Sequence, residues 1–182
     1  TGQSPAMDNH GADPELVING RRDFALLQFD LSAAAGMKID KAYLRLYQDP
    51  RIVPLTVVGL STISGAGSWS EGQQKGGPAP PGSANYFFAR AGSQPWAYPG
   101  SDLTDVTFGL GGSLYTYRRA RAAGEGWFEV DVPPALVSAL VTGDQFGWML
   151  TDEKGQTRTR HVLSSREGPH PPLLILEGTR SD

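Results

Sequence analysis

Apolar and polar residues alternate with a period of two in three well-separated stretches of this chain. Leu27, Phe29 and Leu31 alternate with Gln28 and Asp30. Ala42, Leu44 and Leu46 alternate with Tyr43, Arg45 and Tyr47, and the run Trp127 to Val132 ends in the same pattern. Side chains on a strand point to opposite faces in turn, so this period predicts strands with one face buried. Shorter candidates are Leu16–Ile18, Leu55–Ile63, Tyr86–Arg90, Val106–Leu110, Gly147–Thr151, Thr159–Leu163 and Leu173–Glu177. Turn residues separate them, the pattern of a sandwich or jelly roll.

The fold class this predicts is all-β: a jelly-roll-like antiparallel β-sandwich with one short helix and long Gly/Pro-rich loops. The helix lies between Pro133-Pro134, which fit its start, and Gly143, which fits its end. Leu136, Val137, Leu140 and Val141 mark its apolar side. Ser64 to Ala84 and Gly111 to Gly126 read as the long loops, the second with a possible strand around Ser113–Arg119. Loops of that length in a compact domain are often functional. The run Gly147-Trp148-Met149-Leu150 reads as a central strand. Pro171 and Pro172, which have no amide hydrogen to donate, precede the last one. No composition break divides the chain, so 1–182 reads as a single domain, with 1–8 an incomplete or flexible N-terminal segment.

Composition narrows the function classes. Sixteen Lys and Arg stand against nineteen Asp and Glu, a net charge of −3. No basic surplus is available to neutralise a nucleic-acid backbone. No apolar run approaches a membrane-spanning helix. The absence of cysteine removes disulfides, thiolate zinc sites and thiol nucleophiles. No signal peptide opens the chain, and Thr1 in place of Met reads as a processed product or excised fragment.

Three ordered segments carry a family resemblance. The first is Asn9-His10-Gly11, Glu15–Ile18, Ala25–Ser32 and Ile39–Leu46. The second is Trp69-Ser70-Glu71-Gly72, then Pro95-Trp96 and Pro99–Asp102. The third is Phe128–Val132, Phe146–Trp148, Ser164–Glu167 and Pro171–Leu174. In this order they resemble the DNRLRE-type domains, which are similar to carbohydrate-binding modules associated with alginate-degrading enzymes. The resemblance implies a jelly-roll sandwich, an accessory rather than catalytic role, and a secreted or cell-surface location. It departs from the family in the short stretch before Asn9, in the residues near Asn85-Tyr86, and in the lack of a tryptophan at Leu140-Val141.

Carbohydrate-binding candidates follow from residue chemistry. Trp69, Trp96 and Tyr98 lie in Gly/Pro-rich segments, where an exposed aromatic face stacks on a sugar ring. Each tryptophan has an alternative reading, as a plug that closes one end of the sandwich. Trp127 reads as a core residue. Arg118, Arg119 and Arg121 lie near Tyr115 and Tyr117, and Arg158 and Arg160 form a second set beside His161. Guanidinium groups bind carboxylate or sulfate through paired hydrogen bonds, which suits an acidic (uronate or sulfated) polysaccharide. The bland reading is a solvated face. Asp8, Asn9 and Asp13 around Gly11 are candidate oxygen ligands for a structural calcium, and Asp102 with Asp105 is a second oxygen-rich spot.

No nucleophile elbow, zinc-binding helix, P-loop or dinucleotide fingerprint is present. Ser165-Arg166-Glu167 reads as a structural device that fixes the loop before the last strand. Expected partners are a polysaccharide and neighbouring domains or copies of the chain, with no nucleic acid and no membrane insertion. The leading expectation is a non-catalytic carbohydrate-binding module of a larger polysaccharide-degrading or surface protein. Its rivals are a structural module of a surface layer, stalk or filament, and a polysaccharide lyase or hydrolase.

Overall fold

The computed structural model describes residues 5–20, 22–64, 69–107, 112–152 and 159–180. Its strands are β1 (Glu15–Ile18), β2 (Ala25–Leu27), β3 (Met37–Tyr47), β4 (Val57–Thr62), β5 (Phe88–Arg90), β6 (Gln94–Pro95), β7 (Tyr115–Gly124), β8 (Trp127–Val132), β9 (Trp148–Thr151), β10 (His161–Ser164) and β11 (Leu173–Arg180). Two α-helices join them, α1 (Leu103–Thr107) and α2 (Pro134–Val141).

One antiparallel sheet holds seven strands in the order β11-β3-β8-β7-β4-β9-β2. Strand β7 belongs to both of its halves. Tyr115–Arg119 pair with β4, whereas Ala120–Gly124 pair with β8. The sheet curls at this strand, and its halves close on each other as an all-β sandwich. Leu44, Leu46 and Val130 from one half share a buried cluster with Val58, Leu60, Trp148 and Leu150 from the other. Cross-strand pairs Leu44–Val130, Leu46–Phe128 and Leu60–Leu150 place these side chains on the inner faces, as alternation requires. Each such side chain stabilises the fold by roughly 1.5–3 kcal/mol when fully buried.

A further layer lies outside the sandwich. Residues on β9 point alternately inward and outward, yet Trp148, Met149, Leu150 and Thr151 are all buried. Met149 packs outward, in a second cluster with Ile63, Trp69, Ala89, Trp96, Leu103 and Val106. The segment 69–107 therefore covers the outer face of this half-sheet. Burial on both faces explains why the sequence of β9 is a continuous apolar run.

Helix α2 begins and ends where the prolines and Gly143 place it. Pro134 occupies its first turn, and Gly143 follows its C-terminus at φ 81°. Three other segments depart from expectation. Val106–Leu110 is not seen as a strand: Val106 and Thr107 are helical in α1, and 108–110 lie outside the described residues. The helix starts because Asp102 and Asp105 cap each other's turn. The Asp102 carboxylate accepts the Thr104 amide at 2.8 Å, and Asp105 accepts the Asp102 amide at 3.0 Å. The segment 112–126, expected as a loop or as a loop containing a strand around Ser113–Arg119, is largely strand β7 and its hairpin to β8. Its turn residues Glu125 and Gly126 both have positive φ, at 51° and 85°, as a tight two-residue hairpin demands. Finally, β2 stops at Leu27, because the Asp30 side chain accepts the Ser32 amide and turns the chain.

Candidate functional site: an aromatic and arginine face

Strand parity decides which functional side chains can meet. On β8, Phe128, Val130 and Val132 point inward, so Trp127, Glu129 and Asp131 point outward. On β3 the outward set is Tyr43, Arg45 and Tyr47, and on β7 it is Tyr115, Tyr117, Arg119 and Arg121. These residues form one continuous outer face, and edge strand β11 adds Leu173 and Ile175.

At one end of this face three rings meet. Tyr47 and Trp127 pack edge to face at 5.5 Å between centroids. His170 lies over Tyr47 at 3.9 Å and meets Trp127 at 5.6 Å. The His170 amide donates to the Ser164 hydroxyl, which holds the loop before β11 in place. In the middle, charges are paired. Arg45 reaches Glu129 at 2.8 Å, and Arg121 reaches Asp131 at 2.7 Å and Glu129 at 4.0 Å. The Arg121 guanidinium also sits 5.7 Å from the Tyr43 ring centre. At the other end Tyr115 and Tyr117 pack edge to face at 4.8 Å. Gly59 opposite them makes this possible, since a Cβ there would lie 2.7 Å from the Tyr115 hydroxyl. Burial pushes the Tyr115 hydroxyl pKa upward, whereas Tyr117 is 41% exposed. Arg119 is exposed beside Tyr117 and makes no ion pair among the described residues.

The expected arginine cluster is thus divided. Arg119 and Arg121 share the outer face, but Arg118 lies opposite the buried Val58 and takes the inward parity. Its guanidinium folds back onto the Tyr117 carbonyl at 2.8 Å. Arg160 is exposed and lies 3.8 Å from Glu15, just before β10, while the neighbouring His161, the first residue of that strand, is buried. Arg158 lies outside the described residues.

Two of the three aromatic candidates are corrected. Trp69 and Trp96 are only 6% and 2% exposed. The Trp69 indole donates to the Phe146 carbonyl at 2.7 Å, and the Trp96 indole donates to the carbonyls of Asn85 and Tyr86, each at 3.0 Å. These rings fix the outer layer onto the sheet and present no free face for stacking. Tyr98 is 53% exposed. Its hydroxyl pKa is raised first by the nearby Asp105 carboxylate, an acidic setting that repels an anionic ligand. Trp127 is also corrected: it is partly buried on the outer face rather than in the core.

The Asn9-His10-Gly11 motif has a structural task. Asn9 is buried, its side-chain amide donates to the Ala84 carbonyl at 2.9 Å, and its oxygen accepts the Gly11 and Gln74 amides. A Cβ on Gly11 would lie 2.0 Å from the Gly72 carbonyl oxygen, and one on Gly72 would lie 2.2 Å from Asn9 Oδ1. The motif and the Trp69–Gly72 loop interlock, and the Asn9 oxygen is committed to backbone rather than offered to calcium. Asp13 pairs with His10 at 2.6 Å, and Asp8 bridges to Pro78 through its backbone. Among the described residues no three His, Asp or Glu side chains converge on a metal position. Arg166 joins two loops, with its guanidinium 2.8 Å from both Glu71 and Glu167.

The ring cluster of Tyr47, Trp127 and His170 was not singled out from sequence. Its signal was present in the complementary half of the alternation, where Tyr43, Tyr47 and Trp127 occupy outward positions that solvated strands fill with polar residues. Compared with known proteins, the chain matches no family model and no curated protein.

Proposed function

We propose that this domain is a non-catalytic module that binds an acidic polysaccharide across the outer face of β7, β8 and β3. The observation that carries the reading is the exposed pair Tyr117 and Arg119, adjacent on one row, with Arg119 lacking an acidic partner among the described residues. A tyrosine ring offers a stacking surface for a sugar ring, and an unpaired guanidinium offers two parallel donors to a carboxylate or sulfate. Tyr43, Tyr47 and Trp127 extend the stacking surface on the same face. The resemblance to DNRLRE-type domains supports the same class of ligand and a secreted or surface-attached parent protein. The tryptophans Trp69 and Trp96 have no part in this site.

Affinity electrophoresis in gels containing a uronate or sulfated polymer tests the reading. The domain is expected to be retarded, and Arg119→Gln or Tyr117→Ala should weaken retardation about tenfold while thermal stability stays near that of the parent. Unaltered retardation in both variants would remove this face from the site. A second reading, a structural or assembly module, is favoured by Leu173 and Ile175, which are 43% and 37% exposed on edge strand β11. A mass that rises with concentration would support it.

A further inference from the structure

The charges on this face are unevenly available, and that bears on which polysaccharide fits. Three arginines, Arg45, Arg119 and Arg121, face two carboxylates, Glu129 and Asp131. Four of these five groups already neutralise one another through the contacts at 2.7 and 2.8 Å. Lys41 and Glu177 at the margin are paired as well, at 3.2 Å. Among the described arginines of this face, only Arg119 remains without an acidic partner. A polymer with an anion on every sugar would meet one receptive cation, then the exposed carboxylate of Asp131. A sugar hydroxyl, in contrast, both donates and accepts, so the paired lattice of guanidinium and carboxylate suits it well. The Tyr47–Trp127–His170 cluster adds a stacking station of aromatic rings. It lies roughly 15 Å from Arg119 along the strand direction, at ~3.3 Å per residue.

Resting on the proposed sugar-binding role, we infer that the ligand is a sparsely charged polysaccharide, largely neutral with single acidic groups set apart along it. Neutral sugars lie on the ring cluster and the paired mid-section, and one carboxylate or sulfate reaches Arg119. Such a ligand keeps the Arg45–Glu129 and Arg121–Asp131 pairs intact, whereas a dense polyanion must compete with both acids.

The test is affinity electrophoresis of the whole chain in three gels at neutral pH. One contains gellan, with a single uronate in each repeat; one polygalacturonate, charged at every sugar; one uncharged hydroxyethylcellulose. Gellan is expected to bind at least tenfold more tightly than either of the others. Arg119→Gln should reduce gellan binding to the level of the uncharged polymer. Trp127→Ala should weaken gellan binding about tenfold, and His170→Ala, in a surface loop, gives the same readout should the tryptophan variant fold poorly. Asp131→Asn, which removes the nearer of the two acids beside Arg121, should shift preference toward polygalacturonate. Tightest binding to polygalacturonate by the parent, with no effect at Trp127 or His170, would overturn the inference and leave acidic-polysaccharide binding standing. No retardation in these gels or in one containing a sulfated polymer would overturn both.

Discussion

Glu71 shows how one partly buried charge sets a local balance. Burial raises its carboxyl pKa, the Arg166 guanidinium at 2.8 Å lowers it, and Glu167 raises it again. The net direction is upward from 4.5, so folding favours the protonated form. Its contribution to stability is therefore fully present below that value and is lost as pH rises through the folded pKa. Glu71→Gln should leave the melting temperature at pH 7 unchanged or higher and flatten its decline above pH 4.5. Arg166→Ala should act oppositely at pH 7, removing the one favourable charge at a cost on the order of 0.5–1 kcal/mol for so exposed a pair. That cost should shrink in acid, where Glu71 protonates. Thermal melts of both variants between pH 4 and 8 check this, and a lower melting temperature for the glutamine variant at pH 7 would contradict the assigned balance. The Ser165-Arg166-Glu167 motif, expected to fix the loop before the last strand, is also tied to the Glu71 loop, a partner its sequence did not announce. The same holds for His170: its ring is held against Tyr47 by a loop whose path no local pattern in the sequence announced.

At the scale of single elements, the outer layer depends on two indoles. Trp96 fills the centre of the second cluster, and its indole N–H satisfies two loop carbonyls. Trp96→Ala should destabilise the protein by about 3–5 kcal/mol, the range for loss of a large core aromatic. Equilibrium unfolding in urea measures it; a loss under 1 kcal/mol would mean that the layer does not depend on this ring. The same residue marks the limit of what the sequence disclosed. Strands β3 and β8 were legible because one face is dry and one is wet, which imposes a period of two. Strand β9 was legible as a central strand because both faces are dry. The tryptophans were harder, because a loop ring that stacks on a ligand and one that plugs a covering layer have the same neighbours in sequence. Only the packing of segment 69–107 on Met149 separates the two. Likewise, Arg118 and Arg119 look like one cluster in a loop, and only their place on a strand sends them to opposite faces. Helix α1 had a readable signal in Asp102-Leu103-Thr104-Asp105, but the apolar residues that follow favoured a strand reading.

For the whole molecule the critical strand is β7, because among the described strands of the seven-stranded sheet it is the one that pairs with both halves. Ala120 marks the exchange of partners: its amide donates to the Thr56 carbonyl on the β4 side, while its register partner Val130 lies on β8. A strand that switches partners in this way couples the two halves, since neither can lose β7 without exposing the Leu44–Val130 and Leu60–Leu150 pairs to water. The sandwich should therefore unfold in a single step, with calorimetric and van't Hoff enthalpies equal. Ala120→Pro removes the donor at the crossing point and places a ring inside the sheet, a position that proline occupies only at edges and bulges. It should lower the stability of both halves together, so that amides on β3 and on β9 lose exchange protection by the same factor. Loss of protection on the β4–β9–β2 side alone would show that the halves hold themselves together without β7. The binding face would then span two independently stable units, with Tyr117 on one and Trp127 on the other, and the fixed separation between Arg119 and the ring cluster would no longer be guaranteed by the fold.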